Sequence, residues 1–202
     1  MASPKLVLIL PFIAYLTIVF MPTWVDFYML SSICWFSVAV FSYFVIGSQT
    51  IKLWCEKTII MLAAVVAVVQ VVIIIDTGLF FGFSYNPTIL SFFGLTTNLV
   101  FIVSRLLGME ISRTFFMKSY GIKRPALAVA LVSILYTIFT IPSSQWANLT
   151  AFSTPLTIVE WFGATFVPVL TQNALASYIA LLGGPIASIA YMAPIMSYEI
   201  FM

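Results

Sequence analysis

Six acidic side chains, eight basic ones and no histidine make up the charged chemistry of this 202-residue chain. The lack of histidine rules out bis-histidine haem sites, histidine-bearing zinc and copper sites, and imidazole general acid–base catalysis. A serine, threonine or cysteine nucleophile would need a lysine as its base, and all five lysines are expected at one membrane face. A serine–lysine dyad on the opposite face is therefore not expected. Asp26 and Asp76 stand at helix ends, in no motif that would bury them as an aspartate dyad. The paired Glu and Glu-x-x-His pattern of a di-metal bundle is missing. Cys34 lies in an apolar run and Cys55 beside Glu56 and Lys57, at different depths, so no disulfide is expected. Two cysteines do not ligate an iron–sulfur cluster alone. These residues point to a non-enzyme without a cofactor.

The polar residues inside apolar runs are the remaining candidates. Arg105, Glu110 and Arg113 fall along one helical stretch, and Glu110 to Arg113 is an i, i+3 spacing that puts both on one face. Near the headgroups such a pair can hold the cytoplasmic ends of neighbouring helices. Arg113, Lys118, Lys123 and Arg124 can also attract anionic lipid. Glu160, about three residues inside the interface, is either a functional carboxylate or one that reaches headgroup water. Asn98, Gln70, Gln172 and Asn173 either line a polar seam or make inter-helix hydrogen bonds. Gln172 and Asn173 follow Pro168, whose ring removes an internal helix bond and leaves a carbonyl in need of a donor. Asn148-Leu-Thr150 is a glycosylation sequon on the expected outer side.

The elements that position these residues follow from composition. Hydrophobic residues are 63% of the chain, charged ones 7%, and mean hydropathy is +1.17. A soluble domain has roughly 45–50% apolar and about 25% charged residues, so the solvent here is lipid. A crossing takes about 20 residues of helix, and seven apolar segments can be read, about 6–21, 27–46, 58–75, 89–118, 125–141, 157–182 and 185–202. The connections are too short for a domain with its own core. The expected fold is all-α, one polytopic transmembrane bundle of about seven helices over residues 1–202. Pro125 suits a first helical turn. Pro168 should bend the sixth helix, and Gly183-Gly184-Pro185 should end it and start the seventh. Ala63/Ala67, Ala126/Ala130 and Ala176/Ala180 have the small-xxx-small spacing that lets helices approach.

Charge sets the expected orientation. Lys5, Lys52, Lys57, Arg105, Arg113, Lys118, Lys123 and Arg124 all fall on one side, while the alternate connections carry Asp26 and Asp76 and no Lys or Arg. The positive-inside rule makes the basic side cytoplasmic, with the N-terminus inside. Trp24, Tyr85, Trp146 and Trp161 mark the outer ends, and Trp54 and Tyr120 the inner ends. The first apolar run lacks a small-residue cleavage pattern before Asp26 and reads as a retained helix. A net charge of +2 without a basic patch excludes nucleic acid as a partner.

Several motifs from Gln70 to Glu199 form an ordered set: Asp76-Thr-Gly-Leu-Phe-Phe-Gly82-Phe-Ser-Tyr-Asn-Pro87, Gly108-Met-Glu110-Ile-Ser-Arg113, Lys123-Arg124-Pro125, Phe166-Val-Pro168, Gln172-Asn173-Ala-Leu-Ala-Ser and Leu182-Gly-Gly-Pro185-Ile-Ala-Ser-Ile-Ala-Tyr191. In these the chain resembles the multi-pass membrane region of archaeal-type signal peptidase I proteins. Some members of that family join such a region to a serine-type catalytic domain outside the membrane; this sequence has none, and Phe83 stands where a polar or basic residue is expected after Gly82. The resemblance implies a link to preprotein processing without inherited peptidase activity. Gln172, Asn173 and the hinge at Gly183, Gly184 and Pro185 would then shape a groove near a signal peptide. The expected function is a non-catalytic membrane subunit that docks a partner or scaffolds a complex, in contact with lipids, other integral membrane subunits, and a signal peptidase or translocon. The alternatives are an accessory helical subunit of an energy-transducing assembly and, third, a small-molecule carrier using Glu160 and Asn98.

Overall fold

The computed structural model describes residues 4–20, 27–47, 57–82, 92–121, 124–142, 144–146 and 155–201. Within them every regular element is helical: α1 (Pro4–Val19), α2 (Phe27–Gly47), α3 (Lys57–Phe81), α4 (Phe92–Tyr120), α5 (Pro125–Thr140), α6 (Pro155–Trp161) and α7 (Val167–Phe201), with a π-helical turn, Phe162–Phe166, joining the last two. The stretches Lys57–Phe80, Phe92–Tyr120 and Pro155–Tyr198 are long and apolar enough to cross a membrane. α1, α2 and α5 contain shorter apolar helices.

The helix ends have local causes. α3 runs six residues past the expected 58–75 span, so Asp76 is an exposed helical residue rather than the start of a connection. Thr77 donates its hydroxyl to the Ile73 carbonyl, bringing its polar group into the helix. The helix stops at Gly82, whose φ of 91° suits glycine and whose N–H bonds the Gly78 carbonyl. α5 starts on Pro125 as expected. Pro168 has no N–H for a bond one turn back, and the helix widens just upstream: the N–H of Val167 reaches the Phe162 carbonyl, five residues away. The expected bend is thus a π-turn placed before the proline.

The break at Gly184 is sharper. Its φ of 73° and ψ of −164° lie outside helical space. An unbroken helix would hold Gln172 and Met192 about 30 Å apart, yet Gln172 Nε2 lies 4.0 Å from Met192 Sδ. The two halves of α7 therefore fold back on each other. Gly183 makes the turn possible, since a Cβ there would fall 2.6 Å from both Ala187 Cβ and Ile59 of α3.

α4 and α7 are the centre of the bundle. α4 packs on α1, α2, α5 and α7, and α3 packs on α7. One core joins Ala63 and Ala67 of α3, Ile102 and Leu106 of α4, and Ala176, Ala187, Tyr191 and Ile195 of α7. A second joins Ala14, Trp35, Val38, Met109, Phe116, Tyr136 and Phe139 from α1, α2, α4 and α5. Of the small-residue pairs, Ala63/Ala67 and Ala176/Ala180 are buried. Ala126 and Ala130 face outward, and Ala128 takes the inner position on α5. Gly108 allows the closest approach, because a Cβ there would sit 2.5 Å from the Trp35 carbonyl oxygen.

Candidate functional site

α4 is the most polar of the long helices, and it delivers its polar side chains to the interior. Glu110, Ser112 and Arg113 have no exposed surface. The sequence reading placed Glu110 and Arg113 near the headgroups at a helix end; they are instead sealed among α4, α5 and α7. Arg113 Nη2 lies 3.4 Å from Glu110 Oε1. The same nitrogen donates to Asn173 Oδ1 at 2.6 Å, and Nη1 donates to the Asn173 carbonyl at 3.4 Å. The guanidinium also lies over the Tyr136 ring, 4.6 Å from its centroid, a favourable place for a cation. The Tyr136 hydroxyl and Ser112 Oγ share a 2.6 Å hydrogen bond.

The α7 hairpin supplies the remaining walls. Asn173, on its first half, accepts from Arg113 and uses its Nδ2 to donate to the Val169 carbonyl at 3.0 Å and Thr140 Oγ1 at 3.4 Å. The carbonyl that Pro168 leaves without its usual donor is one turn upstream, at Ala164, so Asn173 donates to a different carbonyl from the one expected. Ser188, on the second half, faces Glu110 and donates to the Pro185 carbonyl at 3.3 Å. Tyr191, three residues on, donates to Gln70 Oε1 at 2.7 Å and lies in the field of both Glu110 and Arg113. Gln172 turns toward Met192 rather than toward Asn173's partners.

Two other basic and acidic candidates fall elsewhere. Arg105 stands fifteen residues before Tyr120, about 22 Å along α4. It is not at the lysine-bearing helix end; its Nη2 donates to the Thr140 carbonyl at 3.0 Å and the Phe139 carbonyl at 3.5 Å. A cation at those terminal carbonyls satisfies groups left over by α5 and suits its dipole. Glu160 is exposed on α6 and takes no part in the cluster. Asn98 is buried with its Nδ2 lacking a hydrogen-bond partner. Asn148 lies outside the described residues, as do Cys55, Trp24, Trp54, Tyr85 and Lys123.

Sequence reasoning missed Ser112, Tyr136, Ser188 and Tyr191 as members of this site. The i, i+3 spacing of Glu110 and Arg113 already pointed to one face of α4. What it did not reveal was that α5 and a folded-back α7 cover that face.

The cluster can do two things chemically. It locks three elements together through one buried cation, and it keeps a carboxyl group in a site without water contact. An uncompensated charge in such a place is costly, so neither member of the pair is a neutral choice of side chain. A comparison of the chain with family models, curated proteins and solved structures gave no match.

Proposed function

We propose that this chain is a multi-pass integral membrane protein with its N-terminus on the cytoplasmic side, acting as a non-catalytic subunit that docks other membrane components in a complex linked to signal-peptide processing. The observation that carries this reading is where the charged candidates point. Arg105 and Arg113 each fasten α4 to another helix, and Glu110 pairs with Arg113 inside the bundle. The outer faces are apolar: Val65, Val68, Val69 and Val72 line the outside of α3. Between α2 and α4 runs an apolar groove lined by Phe36, Ala39, Val40, Tyr43, Phe44, Leu107 and Ile111. Such a molecule is built to hold a rigid shape and offer apolar helix faces to lipid or to another membrane segment.

Orientation follows from the remaining cations. The start of α3 at Lys57, the end of α4 with Lys118, the start of α5 after Arg124 and the α7 turn at Gly184 share one end of the bundle: Gly183 meets Ile59, and Gly121 meets Leu181. The positive-inside rule assigns that end to the cytoplasm.

The test is purification of the full chain from native membranes in mild detergent, with mass spectrometry of what stays bound. A stoichiometric serine peptidase or translocon component supports the reading. Haem- or metal-bearing subunits in its place would move the chain to an energy-transducing assembly. Recovery of the chain alone, with lipid and no protein, would overturn the docking role.

A further inference from the structure

We propose that Glu110 is a proton-binding site at the centre of the bundle, whose carboxyl takes up and releases one proton while Arg113 stays charged and in place. The proposal rests on how unequally the two partners are held. Arg113 has the Asn173 side chain at 2.6 Å, the Asn173 carbonyl at 3.4 Å and the Tyr136 ring at 4.6 Å. Those contacts stabilise the guanidinium without help from Glu110. Glu110 has a 3.4 Å approach to Arg113 and the Ser188 hydroxyl beside it, and neither of its carboxyl oxygens makes a well-formed hydrogen bond. Buried polar atoms in folded proteins are normally paired, and an intramembrane acid points to function. Arg113 Nε is also without a partner, but the guanidinium keeps its contacts to Asn173 and Tyr136, whereas both carboxyl oxygens of the acid are unpaired.

The enclosure narrows the ligand. Glu110, Ser112, Arg113, Asn173 and Ser188 have no exposed surface. A proton needs no cavity and converts an oxygen that lacks a donor into a donor itself. The step is the transfer of one proton from hydronium to a carboxylate oxygen, with water released; only O–H bonds form and break. On the α7 side, the Ser188 hydroxyl faces the acid, and Tyr191 bridges onward to Gln70, half-buried on α3.

The charged and ionisable groups around Glu110 are few. Its own helix brings Arg113, with Arg105 and Lys118 more than a turn away on either side. α5 brings Tyr136, and α7 brings Tyr191. α2 carries Tyr28, Cys34 and Tyr43 and no charged residue. α1 carries Tyr15 and, nine residues before Ala14 in the shared core, Lys5.

The experiment is infrared spectroscopy of the full chain in lipid nanodiscs, carrying ¹³C-carboxyl glutamate, over a pH series. The sequence has four glutamates, so the wild type minus Glu110→Gln difference isolates one carboxyl. The expected difference is a ¹³C-shifted protonated-carboxyl band that grows on acidification while circular dichroism stays native. Should Glu110→Gln fail to fold, Glu110→Asp answers instead: the band leaves the glutamate label and appears under an aspartate label. Spectra of wild type and variant that coincide from neutral pH to the onset of unfolding, or an aspartate label without the band, would overturn the proposal. Partner retention is measured separately, so this outcome is distinct from failure of the docking role.

Discussion

At the scale of single residues, the stability of the interior depends on Arg113 and Glu110 together. Removing one charge strands the other in a site with no water contact, and breaking a buried pair costs about 3–5 kcal/mol. Arg113→Met is expected to lower the thermal midpoint in detergent strongly. Glu110→Gln is expected to cost less, because Asn173 and Tyr136 still hold the guanidinium. The double variant should recover much of the loss, and a thermal double-mutant cycle measures that coupling; strict additivity would show that the two charges do not depend on each other. Arg105→Gln should be milder, since its partners are the terminal carbonyls of α5 and the residue is only partly buried. The spacing from Glu110 to Arg113 made this pair legible in the sequence. Its depth was not legible, because depth depends on which helices cover the face, and tyrosine and serine carry no distinctive spacing.

At the scale of elements, glycine positions decide where helices touch and turn. Gly108 brings α4 against the α2 backbone at Trp35. Gly108→Val is expected to pry these two helices apart, seen as a lower thermal midpoint and weaker cross-linking between cysteines placed on α2 and α4. Gly184 has φ 73° and ψ −164°, a region open essentially to glycine alone, and Gly184→Ala should cost about 1–3 kcal/mol from the backbone alone. Unchanged stability in that variant would mean the turn is made another way. The sequence announced the turn through Gly183-Gly184-Pro185 and the start of α5 through Pro125. It concealed the extension of α3 to Phe81, because Asp76 and Gly78 look like an ending although both are accommodated inside the helix. The π-turn was also concealed, since the missing N–H of Pro168 can be absorbed by a bend at the proline or by a wider turn before it.

At the scale of the whole molecule, apolar runs and their punctuation identified an all-helical bundle, while the order in which helices pack came only from the structure. The even distribution of apolar residues around α1, α2 and α3 gives no stripe from which to choose a partner. Arg105 and Arg113 also left the basic boundary they had been assigned, so the orientation rests on the lysines and Arg124. It is checked by impermeant maleimide labelling of single-cysteine variants in intact cells. Lys118→Cys should label only after permeabilisation, and Ser144→Cys should label from outside; the reverse pattern would invert the proposed topology. The fold-back at Gly184 has a further consequence for how the chain is made. Gly184 is the single non-helical residue between its two arms, so in the proposed topology no aqueous segment separates them: the arms would enter the lipid together as a hairpin, and α4, with its buried charges, would gain its cover only when both arms arrive.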